Sequence, residues 1–176
     1  LEPEDLDLLY TIENNRSNWA VSSTTAPYSR YALKQHIAMQ PQDIYQSSEL
    51  RLVICTRNDE PVGLIDLFNF DPYNLRAEIG IALLENARGH GYAQAALQTI
   101  EDYALHVLHI RLLYAHISRN NNLQSRILFT HQGYIERAIL PKWHLYQNEF
   151  EDISVFCKFL IKVGSINSIF YFLHKA

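Results

Sequence analysis

The stretch Glu85-Asn86-Ala87-Arg88-Gly89-His90-Gly91-Tyr92-Ala93-Gln94-Ala95-Ala96-Leu97 puts two glycines between an arginine and an alanine-rich helical run. A positive charge, a bare backbone and a helix start, in that order, suit an anion with several oxygens. Free N–H groups at a helix N-terminus point outward, and the helix dipole favours negative charge there. Three phosphate-cradling patterns compete for the stretch. A nucleotide-triphosphate loop ends in Gly-Lys-Ser or Gly-Lys-Thr, and no such triplet occurs. A dinucleotide fingerprint wants Gly or Ala where Gln94 stands, and an acid roughly 20 positions further on. The strand ending at Ile117 leads instead to Ser118 and Arg119. The third pattern, (Gln/Arg)-x-x-Gly-x-(Gly/Ala), fits Arg88 to Ala93 position by position.

Working outward, "RAEIGIALL" precedes this loop and reads as a strand, and a long helix follows with Leu97, Ile100, Ala104, Val107 and Leu108 on one stripe. Upstream, Pro3 suits a first helical turn leading to Leu6, Leu9, Tyr10 and Glu13 at helical spacing. "NNRSNWAVSSTTAPYS" breaks that helix, and "RYALKQHIAMQ" predicts a second one. "ELRLVICTR" and "VGLIDLFNF" read as a hairpin across "NDEP". Downstream, "RLLYAHI" predicts a strand and "NNLQSRILFTHQ" a helix that Gly133 can end in a left-handed conformation. The segment from Tyr134 to Leu160 predicts two closing strands around Gln147-Asn148. Strands first, then strand–helix–strand–helix–strand, implies α+β (mixed α/β): a mixed sheet with helices packed on it.

Length and composition bound the rest. At 176 residues the chain is most simply one domain, and 48% hydrophobic with 19% charged residues is an ordinary globular balance. A net charge of -4 argues against nucleic acid as a partner, which needs clustered Lys and Arg. The acidic opening "LEPEDLDLLY" is unlike a secretory signal, although a chain that starts at Leu1 leaves room for a native beginning upstream. No run is long and apolar enough to span a bilayer, the tail "IKVGSINSIFYFLHKA" coming nearest. A cytoplasmic location is the expectation, with Cys55 and Cys157 as buried free thiols. His106 and His109 sit on successive helical turns with no carboxylate or cysteine to complete a metal set, so no metal is expected.

The Arg88–Ala93 hexapeptide resembles the signature of the GNAT N-acetyltransferases. The order Asn122-Leu123-Gln124-Ser125, then Gly133-Tyr134, resembles that family's Asn-x-x-(Ala/Ser) helix closing on Gly-Phe or Gly-Tyr. The resemblance runs from about Leu6 to Leu160, which makes 1–160 one acetyltransferase domain and 161–176 a tail without an assigned role. Within the superfamily, "EPVGLIDLFNF", "RAEIGIAL" and "NEFEDISVF" resemble the spermidine and diamine N-acetyltransferase branch. It implies a mixed, mostly antiparallel sheet, acetyl-CoA as cosubstrate, and a small-molecule amine as acceptor by direct attack in a ternary complex. A homo-oligomer is compatible with it. It also implies that Arg88, Gly89, His90, Gly91, Tyr92 and Ala93 hold the pyrophosphate. Backbone N–H groups at Ile81, Ala82 and Leu83 would meet the thioester and pantetheine. Asn122, Ser125 and Phe129 would line the pantetheine arm, although Asn122 could equally be a helix cap.

Freeing the lone pair of a primary ammonium, with a pKa near 10.4, costs about 4 to 5 kcal/mol at pH 7, so a base is expected. Glu78 shares a strand face with Gly80 and Ala82, which leave room for a ligand, so it is the candidate base or ammonium anchor; a structural pairing with Arg76 or another cation is the alternative. Glu13 and Trp19 are candidate acceptor contacts, with Glu49 and Asp66 nearby; Tyr28 and Tyr31 could join them or serve the core. Two departures from the branch stand out. Phe129 occupies the position of the tyrosine that protonates the leaving thiolate, and Ser22-Ser23-Thr24-Thr25 lacks the acids expected in the acceptor loop. The alternatives are acetylation of a protein N-terminus or lysine, as in the ribosomal-protein branch, and a non-catalytic acyl-CoA-binding sensor.

Overall fold

The computed structural model describes residues 1–19, 26–41 and 43–161, apart from the side chains of Ser17 and Trp19. After a 3-10 turn at Pro3–Asp5 come helices α1 (Leu6–Glu13), α2 (Arg16–Trp19), α3 (Arg30–Met39) and α4 (Ile44–Ser47). Strands β1 (Leu50–Cys55), β2 (Pro61–Asp71) and β3 (Arg76–Leu83) follow, then α5 (Tyr92–His106), β4 (Leu112–Ser118), α6 (Leu123–His131), β5 (Ile135–Tyr146) and β6 (Glu149–Phe159). The six strands form one sheet in the order β1-β2-β3-β4-β6-β5. Among the described residues, only β3 and β4 pair in parallel. This is the mixed, mostly antiparallel α+β sheet expected from the sequence.

Local chemistry sets the boundaries. Ser29, Asp43 and Asn122 cap α3, α4 and α6 through side-chain oxygens that accept first-turn N–H groups. Gln147 and Asn148 both adopt positive φ, 47° and 68°, the geometry of a tight hairpin between β5 and β6. Helix α2 and the one-turn α4 were not anticipated. Both are too short to show a hydrophobic period.

Two apolar clusters flank the sheet. Leu97, Ile100, Ala104 and Leu108 join Leu67, Ala77, Ile79, Leu113 and Ala115 on one side. Leu8, Leu9, Ile12, Leu33 and Leu64 knit α1 and α3 to the other. Val107 departs from the expected stripe: α5 ends at His106, and Val107 is exposed. His109 lies beyond the helix with φ 58°, so it and His106 are not on successive turns. Both cysteines are free as expected, but neither is buried: Cys157 is half-buried, and Cys55 is exposed because it ends an outer strand of the sheet.

Candidate active site

The parallel pairing of β3 with β4 runs only from Arg76/Leu112 to Glu78/Tyr114. Past Glu78, β3 stays paired with β2, while β4 stays paired with β6 as far as Ser118. The two strands therefore part, and alternate backbone groups of Ile79–Leu83 turn toward the gap with no partner strand. A cleft of about 630 Å³ opens there, lined by Gly80, Ile81, Ala82, His116, Ser118 and Asn122 among others. Ser125 and Phe129 of α6 close one side of it, and Glu13 of α1 reaches it from the other. Leu83 lines a neighbouring hollow with Leu84 and Asn86 instead.

The glycine loop lies where β3 leads into α5. Gly89 and Gly91 have φ of 81° and 82°, and a Cβ built on either meets nothing within 4 Å. Gly91 is the N-cap of α5, and among the described residues no side chain caps the helix there. Arg88, Gly89, His90 and Gly91 are exposed, with Ala87 buried as the loop's anchor. The His90 and Tyr92 rings stack at 5.9 Å. The first-turn N–H groups beginning at Tyr92 and Ala93 are thus left for an outside acceptor, which is what a pyrophosphate needs. This open cradle and the parted edge of β3 fit a coenzyme A chain.

On α6, the Asn122 side chain accepts from Ser125 N at 3.3 Å, so its capping role is real while it also lines the cleft. Phe129 is buried, faces the cleft and meets Tyr134 edge-on at 4.8 Å between ring centroids. Tyr134 belongs to the buried core, and burial, followed by the nearby Glu101, pushes its phenol well above the ordinary value. It is a poor substitute for the missing thiolate acid.

The opposite wall is built by side chains. Glu78 is buried, and its Oε1 accepts from His116 Nδ1–H at 2.6 Å while its Oε2 accepts from Asn69 at 2.9 Å. A strand alternation would send Phe68 and Asn69 to opposite faces, and Phe68 already lines the cleft. The ladder slips between Phe68 and Asp71, and Asn69 takes φ 50°, which swings its amide onto Glu78. Arg76, the cation named as the alternative structural partner of Glu78, contacts Asp71 instead at 3.3 Å. The hydrogen bond from Glu78 raises the His116 imidazole above its ordinary 6.5, against the opposing effect of burial. Nothing in the spacing of "YAHIS" marked His116; only the register of β3 against β4 brings it to Glu78.

Arg51 sits across the same face. Its guanidinium grips Asp66 through two bonds, 2.9 and 2.8 Å, and reaches Glu13 at 2.6 Å. Burial opposes its charge, but Asp66 and Glu13 more than offset that and raise its pKa. Among the described residues, Glu13, Glu49, Asp66 and Glu78 line the cleft beside this one arginine, so that wall is acidic on balance. Among the expected acceptor contacts, Glu13 lines the cleft. The Trp19 side chain lies outside the described residues, as do Ser22, Ser23, Thr24 and Thr25. Tyr28 and Tyr31 are exposed on the surface and do not line the cleft.

Comparison with known proteins agrees with this geometry. The acetyltransferase (GNAT) domain family model matches residues 1–134. The spermidine N(1)-acetyltransferase of Vibrio cholerae is 22% identical over 156 residues, covering 87% of this chain and 86% of that one. The crystal structure of a spermidine N-acetyltransferase from Vibrio cholerae in complex with CoA and spermine superposes with a TM-score of 0.80 at 22% identity, covering 91% of this chain and 92% of that one. A dodecameric structure of spermidine N-acetyltransferase from that organism superposes with a TM-score of 0.76, also at 22% identity. At that identity these two structures speak for the fold.

Proposed function

The chain belongs to the GNAT acetyltransferase family, an acetyl-CoA-dependent N-acetyltransferase, and we propose that its acceptor is a primary amine of a polyamine or diamine. The observation that carries the acceptor is the acidic wall: Glu13, Glu49, Asp66 and Glu78 against one arginine, in the cleft that the parted strands open. A di- or polycation gains there from several carboxylates at once, whereas a single amine on a neutral peptide does not. The Vibrio cholerae relative, named for spermidine, and the related structure holding spermine point the same way.

In this reading Arg88 and the N–H groups from Gly89 to Ala93 hold the pyrophosphate, with His90 and Tyr92 packed beside it. The edge of β3 from Ile81 to Leu83 orients the pantetheine and polarises the thioester oxygen. Asn122, Ser125 and Phe129 flank the sulfur, and the thiolate takes its proton from solvent because Phe129 has none to give. Glu78 is the carboxylate that prepares the amine, Glu13 holds a second ammonium, and Trp19 is the proposed aromatic contact. One domain spans 1–160, supported by the continuity of the sheet from Leu50 to Phe159, with 161–176 left without a role. The free thiols and the substrate pair suit the cytoplasm. The dodecameric relative makes a homo-oligomer the natural assembly.

The test is release of the coenzyme A thiol from acetyl-CoA with spermidine, spermine, a short diamine, and a peptide with a free N-terminus. Turnover on the polyamines above the peptide is expected. Turnover on the peptide alone overturns the acceptor. Tight coenzyme binding with no amine-dependent release would return the chain to a sensor.

A further inference from the structure

Acetylation of an ammonium must remove a proton before the nitrogen can attack, and the position of Glu78 limits its access to that proton. Its side chain is only 9% exposed, whereas that of His116 is 35% exposed. Both Glu78 oxygens are already engaged, one by His116 at 2.6 Å and one by Asn69 at 2.9 Å. His116 meets Glu78 through Nδ1, and its ring lines the cleft. With a carboxylate on Nδ1, the neutral ring keeps its N–H on that nitrogen and its lone pair on Nε2. Tyr114, edge-on to the imidazole at 5.7 Å between ring centroids, fixes the ring from its own strand.

We propose that His116 Nε2, not Glu78, takes the proton from the acceptor ammonium, and that Glu78 and Asn69 act as positioning residues that hold the imidazole in the competent tautomer. The inference rests on the acetyltransferase reading above and reassigns the base within it. The balance is direct. The ammonium R–NH₃⁺ gives one proton to Nε2, leaving R–NH₂ and an imidazolium stabilised by Glu78. The amine nitrogen then forms its bond to the acetyl carbon as the carbon–sulfur bond breaks. The second nitrogen proton passes to solvent, the thiolate takes a proton from solvent to become free thiol, and the imidazolium returns its proton to solvent, so one proton is released overall.

The pairing also places the base's pKa usefully. Glu78 raises His116 above the ordinary histidine value, which narrows its gap to the amine. The charged and titratable groups that share the cleft face are Glu78 on β3, Tyr114 on β4, Arg51 on β1, Asp66 on β2, Glu49 before β1, Glu13 on α1 and His144 on β5. Of these, Glu78 lies within hydrogen-bond distance of the imidazole and raises its pKa.

The experiment is the pH profile of kcat/KM for spermidine in wild type, His116→Gln and Glu78→Gln, with acetyl-CoA affinity by calorimetry and thermal melting as controls for folding. Wild type should rise with pH and level off above the His116 pKa. His116→Gln should fall about 10²-fold or more at pH 7, keep its acetyl-CoA affinity, and climb about tenfold per pH unit without levelling, as the amine's own ionisation replaces the base. Glu78→Gln should keep the limb but shift it to lower pH, because the group that raised His116 is gone. Added imidazole should partly restore His116→Ala. A Glu78→Gln profile that loses the limb while His116→Gln keeps it overturns the assignment in favour of Glu78. A pH-independent loss in His116→Gln reduces the histidine to a packing role and overturns it too. Wild type that releases no thiol with any amine defeats the acetyltransferase reading itself, a result distinct from either.

Discussion

The two walls of the cleft are built by different means. In the proposed reading the coenzyme wall takes its donors from six consecutive residues, Arg88 to Ala93, and from one strand edge, so its chemistry is backbone chemistry. The acceptor wall gathers Glu13, Arg51, Asp66, Asn69, Glu78 and His116 from α1 and four strands, and its chemistry is carried by side chains. A wall made of local backbone tolerates most side-chain changes and yields to those that refill its bare surface. A wall made of distant side chains fails when one member is removed, because the others lose their charge balance or orientation.

The comparison is tested most severely at His116. His116→Gln should lower kcat/KM for the amine at pH 7 by about 10²-fold or more while acetyl-CoA affinity hardly moves. Loss of coenzyme binding in that variant would show that the walls are not separable. Next comes Arg51→Met, which leaves Asp66 and Glu13 without their cation in a half-buried place. It should destabilise the fold by about 2–3 kcal/mol, read by urea denaturation, a loss that Asp66→Asn in the same chain should partly recover. No recovery would mean that the guanidinium contributes packing rather than charge balance.

On the coenzyme wall the effects are smaller and of another kind. Gly91→Val should weaken acetyl-CoA by about tenfold, since the side chain enters the space over the helix start. No internal atom lies near that Cβ, so the fold should persist, with some strain from φ 82°. Unchanged affinity by calorimetry would move the pyrophosphate elsewhere. The smallest effect belongs to Phe129→Tyr. The ring is buried beside the cleft, and a hydroxyl adds a donor to nearly the same shape, so kcat should hold or rise modestly in a thiol-release assay. A large loss with coenzyme binding intact would contradict solvent as the proton source.

The same division explains how much was legible in the sequence. The loop, the strand before it and the helix after it could be read because their residues are neighbours in the chain. So could the Asn122 helix and the Gln147-Asn148 hairpin, whose signals are turn and cap chemistry. Glu78 was visible as a lone carboxylate beside two small residues. Its partners were not. His116 lies 38 positions away and meets Glu78 only through a parallel register of three residue pairs. Asn69 reaches it only through a ladder slip and a positive φ, which no alternation pattern reveals. Arg51 read as one polar position of a strand until the hairpin register set it opposite Asp66. Exposure was misjudged for Cys55 and Val107 for a related reason: both have apolar neighbours in sequence, but one ends an outer strand and the other follows a helix end.

The central claim is that the two walls together acetylate a polyamine amine. The direct measurement is mass spectrometry of spermidine after incubation with acetyl-CoA and the wild-type chain, alongside the amount of free coenzyme A formed. The account predicts a monoacetylated polyamine bearing its acetyl group on a primary nitrogen, in equal amount to the thiol released. Coenzyme A released without acetylated spermidine, or no release from a chain that binds acetyl-CoA, would contradict it.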